Sequence, residues 1–332
     1  MRSIKLLPIV LIVVMVLTLG LMISTPAAAV KGSYPGVNGK IAFSSRVNNF
    51  WAIFIMNADG TNIQQLTDGT KYDVSPCWSP DGTEIAFARA VQGFADQTIW
   101  VMNSDGSGLR QLTSGGYQTA PAWSPDGTKI MFDREEIGSN DGIYVIDANG
   151  PAGPGTLLFA GGFGPSWSPD GTRIVFVSST LAITVADANT WTVIATLATG
   201  VSPCWSPDGS KIVFSNTIGV ISVMNADGSG MTSLNVNGDE PNWSPDGTKI
   251  VFMAGGASVL IMNADGSEVH DLTPTMPDAG GPDWQRLPAA VPVGGFVEPV
   301  NRVAVLLPWL TIVGSVAAIS VVIVASWKKA EN

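Results

Sequence analysis

The stretch Trp78-Ser79-Pro80-Asp81-Gly82 occurs five times in this chain of 332 residues, each copy beginning with a tryptophan. Successive copies begin 45, 44, 38 and 38 residues apart. A fixed phrase at a period near 40 residues indicates that one supersecondary unit has been copied. A sixth tryptophan ends a similar run but lacks the Asp-Gly turn. We expect all six to pack between units: Trp78, Trp123, Trp167, Trp205, Trp243 and Trp284.

Short apolar runs after each turn predict further strands. In the second unit, Ile85-Ala86-Phe87 follows the first turn, and a run from Ile99 precedes a second turn that ends at Gly106. A shorter run near Leu112 completes the unit. Apolar, β-branched runs separated by Gly, Pro, Asn and Asp are typical of antiparallel strands. Each unit is therefore predicted to be a four-stranded antiparallel sheet whose first strand leads into the tryptophan.

The repeated Asp residues are interpreted as turn formers. Pro presets φ at the first turn position, Asp bonds nearby backbone, and Gly supplies the residue with positive φ. A calcium loop needs several oxygen ligands converging from one loop, and these turns supply too few. The sequence therefore predicts no metal site, and it offers no cofactor motif.

The two ends of the array are complementary. Pro35 stands where the first unit should have its tryptophan, so that unit lacks a first strand. The strand ending near Trp284 is spare, because Gln285 follows it in place of a turn. We expect the spare strand to complete the first unit. This closure predicts an all-β fold, a six-bladed β-propeller over residues 30–288.

The repeat resembles a known family. Trp-Ser-Pro-Asp-Gly-x-x-Ile-x-Phe, paired with Ile-x-Val-Met-Asn-Ala-Asp-Gly, is similar to the TolB-type, WD-like β-propeller repeat over about residues 36–287. The resemblance implies contact with proteins at cell envelopes. Val297 to Asn301 and the Leu307-Pro308-Trp309 run resemble the C-terminal anchors of archaeal surface proteins.

Both ends of the chain carry membrane-related patterns. Residues 1–29 have a basic start, an apolar run and an Ala-x-Ala site, which is typical of a signal peptide. A linker over 289–302 leads to an uncharged apolar run over 303–327, which is long enough to span a membrane. Lys328 and Lys329 then predict a cytoplasmic tail over 328–332. The expected location is the cell membrane, single-pass, with the propeller outside.

Charge and side-chain chemistry exclude several function classes. The segment 30–302 carries 13 basic and 26 acidic residues, which argues against nucleic acid as a partner. His270 is the only histidine and aligns with an outer strand, so a Ser-His-Asp triad or multi-His centre has no basis. Cys77 and Cys204 should face each other across the central channel, too far apart for a disulfide, and are predicted to be free.

The units differ in the connection from their second to their third strand. This step takes 10, 12 and 11 residues in the first three units but 7 in each of the last three. Connections longer than closure needs are where binding residues concentrate. Together with the loops that lead into first strands, they predict a binding face of arginines, aromatics and one acid: Arg46, Phe50, Tyr72, Arg89, Phe94, Tyr117, Arg134, Glu135 and Phe163.

Acidic residues are predicted at the mouth of the channel on the same side: Asp73, Asp239, Glu240 and Asp278. The sequence favours a non-catalytic module at the cell envelope, whose partner is a protein or a polymer. One alternative is an enzyme that uses these acidic residues on a glycan or peptide. Another is a structural component of a surface layer.

Overall fold

The computed structural model describes residues 36–90, 96–135, 141–255, 258–276 and 278–287. The predicted signal peptide, linker, membrane span and tail lie outside these ranges, as does Phe94. Among the described residues, no helix has the length and apolar character that a membrane crossing requires. The regular elements are 24 strands: β1 (Val37–Val47), β2 (Phe50–Met56), β3 (Gln64–Gln65), β4 (Tyr72–Trp78), β5 (Glu84–Ala90), β6 (Gln97–Asn103), β7 (Arg110–Gln111), β8 (Tyr117–Trp123), β9 (Lys129–Glu135), β10 (Gly142–Asp147), β11 (Thr156–Ala160), β12 (Phe163–Trp167), β13 (Arg173–Val177), β14 (Ala182–Asp187), β15 (Val193–Thr199), β16 (Val201–Trp205), β17 (Lys211–Ser215), β18 (Val220–Asn225), β19 (Thr232–Asn237), β20 (Asp239–Trp243), β21 (Lys249–Ala254), β22 (Ser258–Asn263), β23 (His270–Asp271) and β24 (Gly280–Leu287).

The strands in the described part of the chain form five sheets, whereas the sequence predicted six separate ones. Strands β8 to β23 make four antiparallel sheets of four consecutive strands each. The remaining eight strands form one sheet, because a single parallel bridge between Trp51 and Tyr72 joins two four-stranded halves. Next to this bridge, the Trp51 amide donates a hydrogen bond to the Lys71 carbonyl at 3.2 Å.

The spare strand that contains Trp284 pairs with the first described strand, as the sequence predicted. β24 runs antiparallel to β1, with Ile41 opposite Trp284. The first strand of each repeat also contacts the first strand of the next, and β24 contacts both β20 and β4. The six innermost strands therefore follow one another in a closed ring, in the order β4, β8, β12, β16, β20 and β24.

The Ser-Pro-Asp-Gly turns are held by their own side chains. In the first copy, Ser79 Oγ donates to Asp81 Oδ1 at 2.8 Å. The same oxygen accepts from the Thr83 amide at 3.1 Å and from Thr83 Oγ1 at 2.8 Å. The Asp oxygen thus binds donors on both sides of the turn. The other copies repeat these contacts around Asp126, Asp170, Asp208 and Asp246.

The repeated tryptophans fill the seams between neighbouring repeats. Trp284 packs with Ile41 and Phe43 of β1 and with Val251 and Val259 of the preceding sheet. Each of the other five lies in an equivalent cluster of buried residues. Large aromatic side chains dominate core energetics because each buries a large apolar area. The repeated phrase therefore builds the core between sheets and the turns, and its side chains do not gather into a ligand cage.

Candidate binding site at the central channel

The six innermost strands line one central channel of about 300 Å³. Each contributes the residues just before its tryptophan, so the lining differs from repeat to repeat where the sequence varies. We name the two ends by the connections that surround them. The turn face carries the Ser-Pro-Asp-Gly turns and the turns between third and fourth strands. The loop face carries the other connections.

Each innermost strand contains a bulge three residues before its tryptophan. In β4 the register shifts between Val74 and Cys77, and Ser75 has a φ of 53°. Left-handed backbone is uncommon outside glycine, and bulges favour it. The next residue is always proline, which has no amide hydrogen that the ladder could lose. The equivalent left-handed positions are Ser75, Ala120, Gly164, Ser202, Glu240 and Gly281.

In several repeats, the residue just before the tryptophan connects neighbouring innermost strands. The Trp78 amide donates to Asp283 Oδ2 at 2.7 Å, and Asn242 Nδ2 donates to Asp283 Oδ1 at 2.6 Å. Cys204 Sγ donates to Asn242 Oδ1 at 3.5 Å. These bonds continue across four consecutive repeats and pass through the point where the two ends of the chain meet. Asp283 therefore stabilises the closure.

Burial raises the pKa of Asp283 to about 6, although the amides of Trp78 and Trp284 act in the opposite direction. Because this folded value lies above the unfolded one, the stability linked to this group is fully present below pH 4 and is lost as the pH rises through 6. We expect Asp283→Asn to remove this pH-dependent loss of stability, because the amide does not titrate. Urea titrations from pH 4 to 8 measure it; the same pH slope in both proteins would contradict the assignment.

Three carboxylates connect strands near the loop-face mouth. Glu240 Oε2 accepts from the Gly281 amide at 2.9 Å. Asp239 Oδ1 accepts from Ser202 Oγ at 2.9 Å. Asp133 accepts from the Gly164 amide through both oxygens at 3.0 Å. Each bond joins a carboxylate to the left-handed residue of a neighbouring repeat. The bulges therefore supply hydrogen-bond donors that hold neighbouring strands together at the mouth of the channel.

Two of these carboxyls have raised pKa values. Water reaches Glu240 from the channel, yet protein surrounds it on most sides, so burial raises its pKa and the Asp239 charge raises it further. Burial also raises the pKa of Asp133 to about 8, with a smaller contribution from Glu135. Titratable groups with raised pKa values in a cleft are candidates for a functional site.

Two predicted site residues form a buried ion pair, which corrects both the expectation that Arg89 is exposed on the binding face and the expectation that Asp73 lies at the channel mouth. Arg89 Nε and Nη2 lie 2.6 and 2.8 Å from the two oxygens of Asp73. The Asp73 side chain is fully buried and that of Arg89 is 9% exposed. The guanidinium also lies 5.2 Å from the ring centres of Phe87 and Trp100. The two residues are opposite each other on β4 and β5, so their pairing anchors the bulged strand.

Arg134 is also buried. Its Nη1 donates to the Pro154 carbonyl at 3.0 Å, and its guanidinium lies 5.1 Å from the Tyr144 ring centre. The neighbouring Glu135 is exposed, and its register partner Tyr117 is half-buried. Burial raises the pKa of Tyr117, as does the Glu135 charge. The Glu135 carboxylate and the edge of the Tyr117 ring are therefore available at this point of the loop face.

Four further predicted residues and Asp278 lie at or near the surface in the described part of the chain. Arg46 is exposed and forms an ion pair with Asp278 at 3.3 Å. Phe50 and Tyr72 are half-buried and pack edge to face, with ring centres 5.2 Å apart. Phe163 is half-buried at the start of β12. Aromatic side chains therefore remain accessible on the loop face, whereas two of its three predicted arginines, Arg89 and Arg134, are buried.

The loop face is acidic as a result. In the described part of the chain, its exposed or half-buried basic side chains are Arg46, which is paired, and Lys71. The described part of the same face carries seven acidic side chains when the buried Asp73 and Asp133 are left out: Asp68, Asp96, Glu135, Asp141, Asp239, Glu240 and Asp278.

The structure adds residues that the sequence analysis did not assign to the site: Asp133, Ser202, Asn242, Asp283 and Arg286. One sequence signal could have found the bulge. Glycine occurs before proline at Gly164 and Gly281, at the same distance from the tryptophan. Glycine at one repeated position indicates left-handed backbone, which directs a neighbouring amide out of the ladder.

The channel carries no cluster with metal-site chemistry among the described residues. Cys77 and Cys204 are free thiols. Burial raises the pKa of Cys77 well above its usual value and that of Cys204 to about 11. Thiols with such pKa values are poor nucleophiles and metal ligands. The channel therefore offers hydrogen-bonding groups and negative charge.

A closed ring of radially repeated antiparallel sheets around a central channel defines a β-propeller. The family model described as the TolB beta propeller domain matches residues 88–229 and 162–285. These matches cover more than half of the chain, which therefore belongs to the TolB β-propeller family.

Individual relatives are similar over different extents. Over 58 residues the chain is 45% identical to the Tol-Pal system protein TolB of Geobacter metallireducens, a segment that covers 18% of this chain and 14% of that protein. The crystal structure of TolB from Acinetobacter baumannii matches with a TM-score of 0.64 and 21% identity, covering 74% of this chain and 66% of that one. A putative TolB from Agrobacterium tumefaciens matches with a TM-score of 0.58 and 20% identity, covering 75% and 91%. At these identities the structural likeness concerns the fold.

Proposed function

We propose that this chain is a non-catalytic binding module of the cell envelope, which binds a protein or an envelope polymer at its loop face. The observation that carries the proposal is the mouth of the channel on the loop face, where Glu240 and Asp239 add to an acidic surface. Phe50 and Tyr72 form a half-buried aromatic pair on the same face. Aromatic residues are enriched at protein interfaces, and a polar rim is typical of them.

The charge of the loop face favours a basic partner surface. Charge complementarity accelerates association and selects partners. Arg46 bound to Asp278 is an example within the chain of a guanidinium held on this face. We therefore propose that lysine or arginine side chains, or cationic groups of a polymer, occupy the acidic mouth.

The proposal includes the finer architecture predicted from sequence. The two halves of the eight-stranded sheet count as two blades, which gives six blades in the ring. The signal peptide exports the chain, and the segment 303–327 anchors it with the propeller outside. The curated relative is named a Tol-Pal system protein, which describes that protein as one component of a system and agrees with a binding role here.

Charge reversal tests the proposal. We expect Glu135→Lys with Glu240→Lys to reduce cross-linked capture of a partner from envelope extract at least tenfold. The matched control is Asp147→Lys on the turn face, where the side chain is 76% exposed and the reversal should leave capture unchanged. Quantitative mass spectrometry of the captured material gives the ratio. Equal capture by all variants, or equal loss in both, would contradict a loop-face site.

A further inference from the structure

A second cavity lies on the turn face, in the seam between the fifth repeat (β16 to β19) and the sixth repeat (β20 to β23). Its volume of about 470 Å³ exceeds that of the central channel. Trp243 lines it together with two apolar side chains of the fifth repeat, Val223 and Leu234. The acidic residues of the loop-face mouth do not line it, so the cavity is a separate site.

The neighbouring seam shows which group covers a tryptophan at this place. Arg173 begins β13 of the fourth repeat, and its guanidinium carbon lies 4.6 Å from the centre of the Trp205 ring. Lys211 holds the same position in the fifth repeat, two residues after the glycine of the turn. Its side chain is exposed and forms no ion pair with another described residue. Trp243 therefore lacks the guanidinium that covers Trp205.

A second difference between repeats keeps the cavity open. In the second repeat, Arg110 of β7 pairs with Glu84 of β5 at 3.5 Å. The same two positions hold Thr232 and Lys211 in the fifth repeat. Thr232 is short and uncharged, so it neither fills this space nor pairs with the lysine. The fifth repeat thus lacks both of the side chains that occupy the equivalent places in other repeats.

The walls of the cavity carry more negative than positive charge. Hydrogen bonds from the Ser267 hydroxyl and amide lower the pKa of Asp265. Partial burial would raise the pKa of Asp208, but hydrogen bonds from Ser206 and Ser210 hold it below its usual value. These carboxylates are therefore ionised at neutral pH and attract a cation. The charged residues of the lining are three acids and one base: Asp208, Asp246, Asp265 and Lys211.

We propose that this cavity binds the guanidinium of an arginine side chain from a peptide partner, placed over Trp243 as Arg173 is placed over Trp205. A guanidinium is planar and weakly hydrated, so it leaves water for an aromatic face more readily than an ammonium does. The aliphatic part of the arginine would contact Val223 and Leu234. The carboxylates around the opening would accept hydrogen bonds from the guanidinium.

This site is independent of the proposed loop-face site. The fifth and sixth repeats lie opposite the second and third in the ring, and Asp147, the turn-face control position above, belongs to the third. Loss of binding here would leave capture at the loop face unchanged, and the reverse also holds. The two proposals can therefore fail separately.

Fluorine NMR of the full chain labelled with 5-fluorotryptophan tests the choice of ligand. N-acetylarginine amide should shift the Trp243 resonance in a saturable way; that resonance is the one missing from Trp243→Phe. The citrulline analogue has the same shape without the charge and should bind about tenfold more weakly. No saturable shift, or equal affinity for the arginine, citrulline and lysine analogues, would overturn the proposal.

A conservative substitution tests the position over Trp243. Lys211→Arg keeps the charge and should place the chain's own guanidinium over the ring, which should weaken binding of N-acetylarginine amide about tenfold. Lys249→Arg makes the same change one repeat later and should leave the affinity unchanged. Full affinity in Lys211→Arg, or an equal loss in both variants, would contradict the site.

A pair of matched turn variants tests the carboxylates. Asp265 and Asp227 occupy the same place in consecutive repeats, and each accepts from the following serine amide at 2.9 Å and hydroxyl at 2.6 Å. Only Asp265 lines the cavity. Asp265→Asn should therefore weaken binding about threefold, as loss of one exposed charge does, and Asp227→Asn should not. Equal affinities in the two variants would overturn the role of the carboxylates.

Discussion

Replacing Trp284 by alanine is expected to lower the free energy of unfolding by about 3–5 kcal/mol, the range measured for deletion of large buried aromatics. Trp284 is 5% exposed and packs between β1 and the sheet of β20 to β23. Its strand comes from the opposite end of the chain, so the cavity would form at the seam that closes the ring. Urea denaturation of wild type and variant measures the difference.

The control for this substitution is Ile218→Ala. Ile218 is 81% exposed, and exposed substitutions usually change stability by no more than about 0.5 kcal/mol. A loss below about 1 kcal/mol for Trp284→Ala would mean that the closing strand contributes little. It would also mean that the pairing of β24 with β1 does not hold the ring together.

Removing Asp73 from its ion pair is expected to cost about 3–5 kcal/mol, because the Arg89 charge would remain buried without its counter-charge. The Asp73→Leu variant takes away both short contacts to the guanidinium. The nearby rings of Phe87 and Trp100 interact favourably with the cation but do not replace a carboxylate. Urea denaturation at pH 7 measures the loss.

A double-mutant cycle separates this cause from a simple packing defect. With Arg89→Met added, the Asp73→Leu variant should regain a large part of its stability, because no charge then remains buried. The assignment would be contradicted if the double variant lost as much stability as the sum of the losses of Asp73→Leu and Arg89→Met. The cycle also tests whether Arg89 is a structural residue, since a binding residue would affect capture of a partner and not stability.

The repeat predicted most of the fold because its signals are local. Turn chemistry at Ser79 to Gly82 and the apolar run from Ile85 set the strands, and the missing copy near Pro35 predicted the closure by Trp284. The bridge between Trp51 and Tyr72 was not predictable, because it depends on how closely two neighbouring repeats approach.

The site was less predictable for a physical reason. The sequence pattern assigned Arg89 and Arg134 to long connections and therefore predicted them to be exposed. Both instead lie at the ends of strands, β5 and β9, where each is buried and has a partner, Asp73 and the Pro154 carbonyl. The Asp73–Arg89 pairing requires the one-residue shift of the bulge, which the sequence indicates only through glycines in other repeats. Charge on the loop face thus changes from mixed to acidic once the two arginines are buried.

Photocross-linking from the loop face tests the central claim most directly. A photoreactive phenylalanine analogue at Phe163, which is half-buried on that face, should yield a discrete adduct with the partner in intact cells. The same analogue at Leu109, which is 43% exposed on a connection at the turn face, should yield none. Adducts of equal yield from both positions, or only from Leu109, would contradict a binding module that uses its loop face.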